Sequence, residues 1–134
     1  MYSWNDSLLI GVTLIDDQHR ELVEKLDEFA YACGHGDGRV EVGQALKFTV
    51  SYIQKHFKDE VELQALYAYP DIAAHKKLHE RFVQNAIDLV QELKNAGPSA
   101  ELAEKVKKTL VGWFLTHIRT EDRKVGVHIQ NAGG

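Results

Sequence analysis

One cysteine is all this sequence has, so Cys33 cannot close an internal disulfide, and the chain reads as a protein of a reducing compartment. Basic residues are not in excess either. The 16 lysines and arginines stand against 20 acidic residues for a net charge of −4, with no basic cluster, which speaks against a nucleic-acid partner. Long apolar runs are missing too: LLIGVTLI at 8–15 falls far short of the ~20 residues that a helix needs to span a bilayer. No basic residue precedes that stretch, so it makes a poor signal peptide. A cytoplasmic protein without membrane insertion is therefore expected. Proline occurs only at 70 and 98, and nowhere do apolar and polar residues alternate long enough to suggest a sheet.

What is present is helix. Hydrophobic residues make up 44% and charged residues 27% of 134 residues, the balance of one domain able to bury a core without staples. Glycines at 34–38 (GHGDG), 97 and 133–134 join the two prolines in dividing the chain into four windows. The first runs from Asp16 or Asp17, as N-cap, to about Cys33. The second spans roughly 40–66, the third about 71–95, and the fourth about 99–124, capped by Ser99. Residues 1–15 are left as an extended arm bearing Trp4, and 125–134 as a weak tail. Tyr67 and Tyr69, just before Pro70, close the loop between the second and third helices. Long helices on short connections predict an all-α fold, an antiparallel up-down-up-down four-helix bundle with an extended N-terminal arm, forming a single domain over 1–134.

Three-and-four spacing gives each helix an inward stripe. The first carries Ile15, His19, Leu22, Leu26, Phe29 and Cys33, and the second Val42, Leu46, Thr49, Ile53, His56 and Glu60. The third carries Ile72, His75, His79, Phe82, Ala86, Leu89 and Leu93, and the fourth Leu102, Val106, Leu110, Trp113 and His117. A lone histidine on such a stripe is commonly a hydrogen-bonded core residue. Here His19, His75 and His79 lie near the starts of their helices, while His56, Glu60 and His117 lie toward the ends. Antiparallel packing brings those places to one end of the bundle. Five imidazoles and a carboxylate in one buried layer need a shared cation, since unpaired buried polar groups are costly. Asp122 joins them if the fourth helix continues or unwinds slightly, because a five-residue step from His117 is off-stripe by about 140° on an ideal helix. His35 and His128 fit no stripe and read as solvated.

Imidazole and carboxylate without thiolate suit iron, zinc or manganese, not a cysteine-rich structural zinc site. Seven donors are too many for one ion, so two ions are expected. If both are octahedral, five imidazoles, two bridging carboxylates and a bridging oxygen leave one position open. That is a seat for one small molecule.

Taken together, His19 in DDQH, HFKDE at 56–60, HKKLH at 75–79 and HIRTED at 117–122 resemble the hemerythrin pattern in its bacterial single-domain form. The resemblance covers nearly the whole chain, including Trp113 four residues before His117 and the arm with Trp4. The E-x-x-H pairs of ferritin-like di-iron proteins are absent. The resemblance implies two iron ions joined by a bridging oxo or hydroxo group, with O2 as a reversible ligand. It implies that His75, His79 and His117 hold the saturated iron, that His19 and His56 hold the iron with the open position, and that Glu60 and Asp122 bridge. By the same resemblance, Phe57, Trp113, Phe114 and Ile118 wall a dry pocket over the open iron. Two departures stand out. Phe114 occupies a place often held by leucine, and Val61 and Gln64 stand where many relatives carry glutamate and methionine.

The function so implied is oxygen carriage, storage or delivery by a non-enzymatic monomer, with an O2-consuming or signalling protein as partner. The alternatives are a sensor of O2, redox state or nitric oxide acting through a separate partner, and a di-iron oxidase or peroxidase. Histidine-rich ligation stabilises higher-valent iron less than carboxylates do, which favours carriage.

Overall fold

Four long helical rods pack antiparallel, up-down-up-down, with short connections, and no strand occurs among the described residues. A computed structural model describes residues 4–34 and 39–133, with the backbone alone at 39–42 and 45. The first three rods are α1 (Thr13–Gly34), α2 (Arg39–Leu66) and α3 (Ile72–Ala96). The fourth, α4, covers 100–131 and stays helical throughout, although two stretches of it, Lys107–Gly112 and Ile118–Asp122, widen into π-turns. Neighbours in sequence pack on each other, and α4 closes the bundle against α1 and α3. Ser99 caps α4 as expected, its hydroxyl accepting from the Leu102 N–H at 3.0 Å.

The inward stripes become the core. Ile15, Leu22, Leu26 and Phe29 of α1, Leu46 and Ile53 of α2, Phe82 and Ala86 of α3, and Val106 and Leu110 of α4 are all buried. Cys33 is buried as well, its thiol 3.7 Å from the Ser99 carbonyl, consistent with packing. The Val42 side chain and His35 lie outside the described residues.

Four expectations need correction. Asp16 is not the N-cap of α1, which begins at Thr13. The Asp16 carboxylate is buried one turn in and folds back to accept from the backbone N–H groups of Ile10 (2.8 Å) and Gly11 (3.2 Å), stapling the arm to the helix. The arm itself contains a 3-10 turn at Asp6–Leu8, and Leu8 and Ile10 are buried. Residues 125–131 are helix, not a tail: Val125 and Ile129 continue the spacing and pack on Tyr69. Gly126 sits so close to the arm that a Cβ there would run into the Ile10 carbonyl oxygen. This continuation also leaves His128 half-buried instead of solvated. Its Nε2 lies 2.7 Å from the Tyr67 carbonyl, and its ring meets Tyr69 edge-on at 5.5 Å. Tyr69 is buried, with its N–H on the Gln64 carbonyl at 2.8 Å, so the loop before α3 is closed as expected.

The π-turns have a visible local cause. In each, a threonine hydroxyl takes the carbonyl four residues back, Thr109 that of Lys105 (2.6 Å) and Thr120 that of Thr116 (2.8 Å). Back-bonding of this kind competes with the regular i→i−4 ladder. A widened turn, closed by i→i+5 bonds, returns the fifth residue to the face of the first. Asp122 therefore comes back under His117.

Candidate metal centre

All five stripe histidines and both carboxylates meet in one buried layer near an end of the bundle, and Glu60 and Asp122 are fully buried. They form two overlapping groups. Donor atoms of Glu60, His75, His79, His117 and Asp122 lie within 4.8 Å of one another, and so do those of His19, His56, Glu60 and Asp122. The carboxylates belong to both groups and divide their oxygens between them. Glu60 turns Oε1 to His75 Nε2 (2.8 Å) and Oε2 to His56 Nε2 (3.1 Å). Asp122 turns Oδ1 to His75 and His117 (3.0 Å each) and Oδ2 to His19 (3.1 Å). Nε2 of His75 and of His117 stand 3.2 Å apart. One of the two can donate to the other there, and the spacing is also that of two neighbouring ligands of one ion at about 2.1 Å from each.

The unsatisfied atoms make the same point. Both ring nitrogens of His19 and His79, Nε2 of His56, Oε2 of Glu60 and both oxygens of Asp122 are buried without a hydrogen bond. Orphans at this density are exceptional in a folded protein. Their Nε2 atoms and carboxylate oxygens crowd together within two small groups, and their chemistry, imidazole and carboxylate without thiolate, is that of divalent transition-metal ligands. The residues present fit a metal.

Protons report the same field. Burial penalises a charge on His19, but Asp122 and Glu60 outweigh it and raise its pKa to about 9. The same balance raises His75 to about 9. Burial, reinforced by His75 and His117, drives His79 down to about 3, leaving its ring neutral. For Glu60, burial and the Asp122 charge push upward but lose to His19, His56 and His75, and the pKa falls to about 2. Asp122 is held well below the usual range by His117, His19 and His75 against its burial. A metal must displace what these rings carry. His19 and His75 are charged near neutral pH, so loading both positions is expected to release about two protons per chain. Affinity should climb with pH up to about 9 and level off above it. Calorimetry in buffers of different ionisation enthalpy counts the protons, and a count of zero would contradict the assignment.

Residues 10–128 match the family described as Hemerythrin HHE cation binding domain. The chain belongs to the hemerythrin family. A protein named Bacteriohemerythrin from Stenotrophomonas maltophilia is 32% identical over 120 residues, covering 90% of this chain and 76% of the relative. Another Bacteriohemerythrin, from Methylococcus capsulatus, is 30% identical over 116 residues, 87% of this chain and 86% of its own. A Hemerythrin-like protein from Naegleria gruberi is 28% identical over 123 residues, 92% and 89% of the two chains.

Aromatic rings enclose this hemerythrin's centre. Phe114, fully buried, meets His19 and His56 edge-on at 5.6 and 6.1 Å, and Ile118 is fully buried on the next turn. Phe57 lies flat on His79 (3.8 Å, 5° between planes) and tilted against His56 at 5.7 Å. Trp113, half-buried, stacks on His117 at 4.7 Å, so it lies against the second group of donors from the one Phe114 touches. Phe82 binds these walls together, 5.7 Å from Phe57, 4.7 Å from Trp113 and 5.8 Å from Phe114. A shallow groove between α2 and α3, lined by Phe57, Val61, His79 and Val83, reaches the edge of the centre.

Two contacts escaped the sequence reading. Gln18 Oε1 stands 2.8 Å from His56 Nδ1, and Gln18 Nε2 donates to Asp59 at 2.9 Å. Gln18 is adjacent to His19 on α1 and lies three residues after Ile15 and four before Leu22, so its spacing on the inward face was the signal that could have found it, and its burial bears that out. Gln64, singled out as a departure, is fully buried and donates its amide to Glu60 Oε1 at 3.3 Å.

Proposed function

We propose that this hemerythrin binds O2 reversibly at two iron ions, for oxygen carriage, storage or delivery. The reading rests chiefly on one observation, the pair of buried donor groups that share Glu60 and Asp122. His75, His79 and His117 would close off one ion, while His19 and His56, one ring fewer, would leave a place on the other. Each shared carboxylate would give an oxygen to either ion. A bound iron pair supplies the two electrons on which reversible O2 binding draws. The chain's own part is to hold that pair in a dry, apolar chamber. Phe114 and Ile118 line the side of His19 and His56 and exclude water, and Phe57 covers the approach beside His79. Exclusion of water retards proton-assisted loss of reduced oxygen. Gln64 donates to Glu60 and so draws charge from a shared carboxylate, which tunes how strongly it donates to metal.

This reading takes the chain as a single domain working as a monomer in the cytoplasm; among the described residues no helix is long and apolar enough to cross a membrane. Anaerobic loading with iron(II), then air, then deoxygenation tests it by absorbance. A charge-transfer band that appears and vanishes reversibly over several cycles is the expected result. Irreversible bleaching with release of peroxide would favour the oxidase or peroxidase alternative instead.

A further inference from the structure

His56 differs from His19, His75 and His79. Nδ1 of His19, His75 and His79 is buried without a partner, whereas Nδ1 of His56 lies 2.8 Å from the Gln18 side-chain oxygen. The orientation of that amide follows from its other end. A carboxylate offers only acceptors, so the group 2.9 Å from Asp59 Oδ2 must be the Gln18 NH2. The amide oxygen is then the atom facing His56, and an oxygen can only accept. His56 must carry a proton on Nδ1, and its Nε2, 3.1 Å from Glu60 Oε2, faces the shared carboxylates, donating to them in the metal-free chain and offering its lone pair once an ion displaces that proton. Gln18 is buried and Asp59 half-buried, so the chain Asp59–Gln18–His56 runs from near the surface of α2, through α1, to the centre.

We propose that Gln18, locked in orientation by Asp59, is a positioning residue that fixes the tautomer and aim of His56 and thereby governs the hold on one metal ion of the pair. The inference rests on the two-ion reading above. Among the described residues no side chain braces Nδ1 of His75 or His79 in this way, so the effect falls on the His19–His56 ion. Outer-shell partners of metal-bound histidines typically contribute roughly 10–100-fold in metal affinity.

Two measurements test this. In the metal-free, 15N-labelled protein, long-range 1H–15N spectra should show His56 protonated at Nδ1. Gln18→Leu should take the proton off Nδ1 and leave the one on Nε2 that faces Glu60, and Gln18→Glu, which keeps an acceptor in place, should retain it on Nδ1. In zinc titrations the wild type should take two ions, and Gln18→Leu should weaken only the second, by about 10–100-fold. Asp59→Leu, on a half-buried position, should shift the second ion in the same direction and keeps the test alive if the buried substitution impairs folding. A wild-type His56 with bare Nδ1, or variants that bind the second ion as tightly as the wild type, would overturn the role of Gln18 alone. A wild type that takes up a single zinc ion would instead bring down the two-ion reading, and the role of Gln18 with it.

Discussion

Glu60→Gln is expected to abolish tight binding of both metal ions while leaving the helix content unchanged. The carboxylate is the shared member that places one oxygen 2.8 Å from His75 and the other 3.1 Å from His56. An amide keeps the shape but replaces one of those oxygens with an NH2 that cannot ligate. Each ion loses anionic charge and one loses a donor outright. The loss should exceed the roughly 10–100-fold seen when only an outer partner is removed. The same change strips His19, His56 and His75 of a counter-charge. Breaking a buried ionic network from one side costs about 3–5 kcal/mol, so the metal-free variant should also be markedly less stable. Metal analysis after dialysis and chemical denaturation read the two effects separately, and exposed Glu62→Gln is the control that should show neither.

Phe114→Ala is expected to lower stability by about 3–5 kcal/mol, the usual loss for a large aromatic deleted from a packed core. Phe114 is fully buried, with the rings of His19, His56 and Phe82 around it. The second effect is functional. A void beside His19 and His56 admits water to the side where O2 is proposed to bind, so the oxygenated form should decay faster. Phe114→Leu keeps most of the volume and should lose under about 1.5 kcal/mol with a smaller change in decay. Equal decay rates in the wild type and the alanine variant would mean that Phe114 packs the core without guarding the centre.

How far the fold and the centre were legible depends on periodicity. Apolar spacing carried all four helices to within a few residues at most ends, because that spacing is what the bundle buries. It failed where a side chain acts outside the stripe. Asp16 has the composition of a cap, yet its oxygens serve two N–H groups of the arm. The last turns of α4 were read as tail because the π-turn at Ile118–Asp122 shifts the register and hides Val125 and Ile129 from a fixed 3.6-residue count. The same shift explains why Asp122 was the least secure donor on geometry and still lies under His117. Thr120 within that stretch, bonded back to the Thr116 carbonyl just before it, is the local signal for such a shift. Gln18 and Asp59 could not be paired from one sequence, since their contact exists only through the packing of α1 on α2.

The most direct measurement is anomalous diffraction at the iron edge from crystals of the iron-loaded protein. Two iron peaks are predicted, one among His75, His79 and His117 and the other beside His19 and His56, with Glu60 and Asp122 between them. A single peak, or iron bound away from these seven side chains, would contradict the account.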